Sequence, residues 1–161
     1  MRAAPLLLLL AACATAPKVA PKAEALDFTL PDTTGKSVST KDFAGKVVLV
    51  DFWATWCKPC EASFPFYDAI AKKYGERGFE ILAVSVDEED ADVAAFLEAK
   101  PVSFTVLRDP AGSIPERLNL QTMPTAVLLG RDGSVKHVHE GFFDEDRKAI
   151  TKLVEAELGA E

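Results

Sequence analysis

Cysteine is scarce in this chain: three residues among 161, beside two histidines, two methionines and two tryptophans. So few thiols cannot build the disulfide framework that holds many small secreted domains together. With 48% apolar residues the chain needs none, because a domain of this size buries about two-thirds of the surface its unfolded form exposes. Positive charge is also short. The 18 Lys and Arg are outnumbered by 25 Asp and Glu, for a formal net charge of −7, which argues against nucleic acid as a partner. The apolar run Ala3–Ala12 falls well below the roughly 20 residues of a bilayer-spanning helix.

That run follows a single positive residue, Arg2, and reads as the core of a secretory signal. Leu10-Ala11-Ala12-Cys13 resembles a bacterial lipobox. The resemblance implies cleavage before Cys13 and acylation of Cys13, and acyl chains hold a protein to a membrane by about 0.8 kcal/mol per buried methylene. Ala14 stands where an inner-membrane retention signal would have aspartate, which favours the periplasmic side of an outer membrane. The Ala- and Pro-rich stretch before Leu26 has no apolar periodicity and reads as a tether. The expected division is therefore signal peptide 1–12, lipidated cysteine and flexible tether 13–25, and one domain over 26–161.

Within that domain, Val47–Trp53 is a nearly unbroken apolar run rich in β-branched residues, as expected for a central strand buried on both faces. A helix should follow over about 58–74, kinked at Pro65. Phe79–Val86 reads as a second buried strand. Asp87–Glu89 should cap a helix near 89–99, and a short strand should cover 104–107. Ser113 and Glu116 form a capping-box pattern for a short helix. Strands at 125–129 and 135–140 should form a hairpin around Asp132-Gly133, and a last helix should run about 144–158. Strands alternating with helices, then a hairpin, predict an α/β sandwich: a mixed sheet with helices on both faces.

With Cys13 assigned to lipid, two thiols remain, as Cys57-Lys58-Pro59-Cys60. The pair lies where a buried strand gives way to a helix, the end at which open α/β sheets carry their sites. Unpaired N–H groups and the helix dipole at that position favour negative charge. They can hold a thiol pKa below its usual value, and the thiolate is the reactive form. Pro59 costs nothing in a first helical turn. Cys57 should attack a disulfide and Cys60 should resolve the product. The bland alternatives are an inert disulfide or half a zinc site. A structural zinc wants four ligands, and His137 and His139, far away in sequence, read as surface strand residues. Asp51 interrupts the central strand; a lone buried carboxyl should have a raised pKa and can exchange a proton with a nearby thiol.

Val50-Asp51-Phe52-Trp53-Ala54-Thr55-Trp56-Cys57-Lys58-Pro59-Cys60 is similar to the active-site segment of thioredoxins, and the resemblance runs from about Leu26 to Leu158. Details around it look like the membrane-tethered TlpA/ResA-type branch. The resemblance implies a thioredoxin-like three-layer fold and a redox-active Cys57–Cys60 disulfide with no other cofactor and no metal. It assigns Asp51 to proton exchange with the second cysteine. It makes the Met123–Pro124 bond cis and Trp56, Met123, Pro124 and Gly141 the substrate-contacting loops. Ala83 takes the place of a lysine found beside that aspartate in thioredoxins, and Ser63 that of a glutamate common in the tethered branch. The implied partners are protein thiols and disulfides, a membrane electron donor, and the membrane itself through the lipid, for a monomeric extracytoplasmic protein.

Three functions compete. The first is a reductase of disulfides in exported proteins. The second is a thiol peroxidase, against which stand Ala54 and Val50 at positions where that chemistry needs other residues. The third is a non-enzymatic metal carrier or binding module, which in related folds uses a longer spacer between the cysteines.

Overall fold

The computed structural model describes residues 25–159; the signal segment, Cys13 and nearly all of the tether lie outside them. Seven strands and four α-helices follow one another: β1 (Thr29–Pro31), β2 (Ser37–Ser39), β3 (Val47–Trp53), α1 (Lys58–Tyr74), β4 (Phe79–Ser85), α2 (Asp90–Ala99), β5 (Thr105–Arg108), α3 (Ser113–Arg117), β6 (Thr125–Leu129), β7 (Val135–Glu140) and α4 (Asp146–Gly159). The main sheet has the order β5-β4-β3-β6-β7, and β1 and β2 form a separate hairpin. β3, β4 and β5 run parallel, while β6 and β7 are antiparallel to their neighbours.

β3 sits in the middle because all seven of its residues are buried, as a strand covered on both faces requires. Alternate side chains go to opposite layers. Val47, Leu49 and Trp53 face one core with Ile81, Ala83, Ala126 and Leu128, beneath α1, α2 and α4. Val48, Val50 and Phe52 face the other with Leu82, Val84 and Val127, under the β1–β2 hairpin and α3. Helices thus cover both faces unequally: three on one, and the single short α3 plus the hairpin on the other. Trp53 anchors the first core, its ring 4.6 Å from that of Phe64 and 5.0 Å from that of Phe96.

α1 has the expected bounds and runs through Pro65, whose ring lies on the exposed side of the helix. Two capping expectations change. The N-cap of α2 is Glu89, within the expected Asp87–Glu89, but it makes no side-chain bond; Asp87 is buried and bonds Thr55 beyond the end of β3 instead. The Ser113/Glu116 box is absent as well, since the N-cap of α3 is Gly112. Asp109 does that work, accepting from Ser113 N at 3.1 Å and Ile114 N at 2.8 Å. A carboxylate from the preceding strand end satisfies the same orphan N–H groups. α4 starts at Asp146, two residues later than expected.

Candidate active site

Cys57 is the N-cap of α1, in extended conformation, and its Sγ accepts from Cys60 N at 3.3 Å. The two cysteines are joined by a disulfide. Cys57 keeps 6% of its surface exposed and Cys60 none. An incoming thiol or disulfide therefore meets Cys57 first, while Cys60 can act only on a group already brought to Cys57. The start of α1 supplies N–H groups and the positive end of the helix dipole to Cys57. Pro59 falls where its missing N–H has no helical partner.

Trp56, beside Cys57, is 68% exposed, and Phe143 is 66% exposed. Phe142 takes the core position instead, against Phe66 and Tyr67 at 5.9 Å each. The Met123–Pro124 bond is cis. Thr125 Oγ1 bonds Thr122 O across that turn at 2.8 Å, and Gly141 N donates to Pro124 O at 2.8 Å. Gly141 has a φ of 78°, a conformation in which a side chain is strained. These bonds tie the Met123–Pro124 turn to the Gly141 loop. They also occupy the Pro124 carbonyl, in one of the loops expected to contact substrate.

Asp51 is wholly buried on the face that carries α1, and neither carboxyl oxygen has a hydrogen-bond partner. Burial pushes its pKa well above the ordinary aspartate value; the nearby Tyr67 hydroxyl offsets part of that rise, though no hydrogen bond joins the two. Ala83 lies opposite Asp51 on β4 and Ala126 opposite it on β6, so no basic side chain faces the carboxyl from either neighbouring strand. Ser63 is buried and its hydroxyl bonds Cys60 O at 2.8 Å. Glu61 is held by Lys100 and Lys58, which lower its pKa; it stays charged on the surface.

One group of residues escaped sequence reasoning. The Asp87 carboxylate accepts from Thr55 N at 3.1 and 3.0 Å, from Thr55 Oγ1 at 2.7 Å and from Ser85 Oγ at 2.8 Å. Arg108, itself buried, donates to Ser85 Oγ at 2.7 Å, Asp87 O at 2.9 Å and Asp90 Oδ1 at 2.7 Å. This network grips the loop two residues before Cys57. Its signal was a carboxylate two residues after a buried strand, at the sheet end that also carries the cysteines. Among the described residues no cluster of His, Cys, Asp and Glu is arranged to hold a metal ion, and no helix is long and apolar enough to cross a membrane.

Residues 20–154 match the family described as Redoxin. The chain belongs to the Redoxin family. It is 40% identical over 112 residues to the thiol-disulfide oxidoreductase ResA of Bacillus thuringiensis subsp. konkukian, a match covering 70% of this chain and 65% of that protein. The chain thus spans just under two-thirds of that relative's length. ResA of Geobacillus kaustophilus is 36% identical over 123 residues, covering 76% and 71%. Among solved structures, a thiol:disulfide interchange protein DsbE from Chlorobium tepidum superposes with a TM-score of 0.81 at 41% identity, over 84% of this chain and 95% of that one. The pneumococcal exposed lipoprotein thioredoxin Etrx1 from Streptococcus pneumoniae gives 0.71 at 30% identity, over 81% and 99%. This Redoxin-family chain therefore has a thioredoxin-like fold of the TlpA/ResA type, with the cysteine pair at the head of α1.

Proposed function

We propose that the chain is an extracytoplasmic thiol–disulfide oxidoreductase that reduces disulfides in exported proteins. The observation that carries this reading is the asymmetry of the Cys57–Cys60 disulfide at the head of α1: one sulfur residue reaches solvent and the other does not. In the dithiol form, the Cys57 thiolate attacks one sulfur of a substrate disulfide and displaces the other as a thiolate, which takes a proton from solvent. Cys60 then gives its proton to Asp51 and attacks Cys57 Sγ. The second substrate sulfur leaves, also to be protonated. Two electrons pass to the substrate and the Cys57–Cys60 disulfide is formed; an electron donor at the membrane resets it. Trp56, Met123 and the exposed Phe143 of the Gly141 loop are the apolar side chains assigned to substrate contact. With the Pro124 carbonyl engaged, Met123 is the residue whose main chain is best placed to pair with an extended substrate.

ResA and DsbE relatives carry the same named chemistry, and the pneumococcal relative is described as an exposed lipoprotein. The second fact supports acylation of Cys13, which Cys13→Ser should test by releasing the protein from membranes. Reduced protein should cleave insulin disulfides, and Cys57→Ser should abolish this. Cys60→Ser should accumulate the mixed disulfide with substrate. A Cys57→Ser variant as active as its parent refutes the assignment.

A further inference from the structure

Asp51 and Cys60 are both fully buried, and Cys57 is the one cysteine of the pair that reaches solvent, so a substrate bound there would close that opening. A proton that passes from Cys60 to Asp51 needs another way out. Cys60 and Tyr67 are seven residues apart on α1, hence on one helix face, and both are buried against the core that holds Asp51's side of the sheet. Ala126 lies opposite Asp51, and His139 lies opposite Ala126, so Asp51 and His139 share a face across one small side chain. At the edge of that row His139 Nε2 is 3.4 Å from Asp146 Oδ2, with the two side chains 18% and 19% exposed. The Tyr67 hydroxyl and His139 Nε2, like both Asp51 oxygens, are buried without a hydrogen-bond partner. A buried hydroxyl without a partner is costly, and this one stands beside the Asp51 carboxyl.

We propose that the Tyr67 hydroxyl and the His139–Asp146 pair form a proton relay joining the Asp51 carboxyl to the solvent-facing edge of the sheet. The relay rests on the reading that Asp51 takes the Cys60 proton. Its electrostatics are consistent. Burial, with the Asp51 and Asp146 carboxyls, pushes the Tyr67 pKa well up, so no phenolate forms. The hydroxyl instead receives the Asp51 proton as it releases its own to the Asp146 carboxylate or His139 Nε2. One proton moves outward and no electron moves. The other groups facing this path are few. α4 adds Arg147, stacked 5.2 Å from the Phe142 ring and 5.5 Å from Phe66. β7 adds His137, its ring 6.3 Å from His139. β4 and β6 contribute only Ala83 and Ala126.

The test follows the resolving step in single turnover, with a mixed-disulfide peptide and pre-reduced protein, across pH. Tyr67→Phe keeps the ring contacts with Phe66 and Phe142. It should slow resolution roughly 100-fold, the low end for positioned proton transfer, while urea stability stays equal to or above that of the parent. A hydroxyl of merely structural value would give the opposite pattern. His139→Ala should slow resolution in buffers without a small base, and added imidazole should restore it; imidazole should not restore Tyr67→Phe. Parent-like resolution by Tyr67→Phe, beside a pH-dependent loss in Asp51→Asn, overturns the relay and leaves Asp51 in place. Parent-like behaviour of Asp51→Asn removes Asp51 from the mechanism and the relay with it. A His139→Ala rate that imidazole does not change overturns the outer half of the path.

Discussion

Replacing Asp51 with asparagine isolates the energetic consequence of one buried carboxyl. In the folded chain the charged form of Asp51 has neither solvent nor a hydrogen bond to either oxygen, so its pKa lies well above the ordinary value of 3.8. In the unfolded chain it titrates near that ordinary value. Between the two values the folded state binds up to one proton more than the unfolded state. The free energy of unfolding therefore falls as pH rises through this window, by at most about 1.4 kcal/mol per pH unit. Above the folded pKa the loss levels off. The amide of the Asp51→Asn variant cannot titrate, and, left unpaired, it adds an offset of about 1–3 kcal/mol that does not vary with pH. The carboxylates whose pKa values are lowered, Asp32, Glu61, Asp68, Asp132 and Glu155, act in the opposite sense, stabilising above their unfolded values. They are common to both proteins and cancel in the difference. Urea titrations of the oxidised proteins, with the disulfide intact, should be run from about pH 4 to about pH 8. The variant should gain on the parent with that slope from the acid end upward. Curves that stay parallel across the range would show that Asp51 is solvated or paired, and would refute the proton-holding role built on its burial.

Other expectations are simpler. Phe64, whose ring lies 4.6 to 5.5 Å from those of Trp53, Phe104 and Phe96, should cost about 3–5 kcal/mol when cut to alanine, read by urea denaturation. Asp87→Ala should leave Thr55 N–H, its hydroxyl and Ser85 without their acceptor, at about 1–3 kcal/mol for each group left buried and unpaired. It should also change the alkylation rate of Cys57 in the reduced protein; an unchanged rate would mean that the network supports the fold alone. Gly141→Ala should lose about 1–2 kcal/mol to backbone strain and weaken substrate binding more than it slows the chemical step, which a KM-against-kcat comparison resolves.

The sequence by itself determined the local chemistry. Two cysteines around Lys58-Pro59, placed between a nearly unbroken apolar strand and an amphipathic stretch, read as a reactive pair at a helix start because strand and helix are written as distinct hydrophobic periods. The same periods placed β3, α1, the β6–β7 hairpin and the inward face of α4, and they marked Asp51 as a polar intruder in a buried strand.

What only the tertiary structure decided is which distant side chains meet. Asp87 and Asp109 carry ordinary capping chemistry, and a local pattern cannot say that one reaches back to Thr55 while the other replaces Ser113 as a cap. Nothing in the spacing of Asp51, Tyr67, His139 and Asp146 brings them together. Strand register puts Asp51, Ala126 and His139 in one row, and the packing of α1 and α4 over that row brings the other two to it. Register and helix placement are settled by the burial of whole faces at once, a property of the assembled sheet that no segment carries alone.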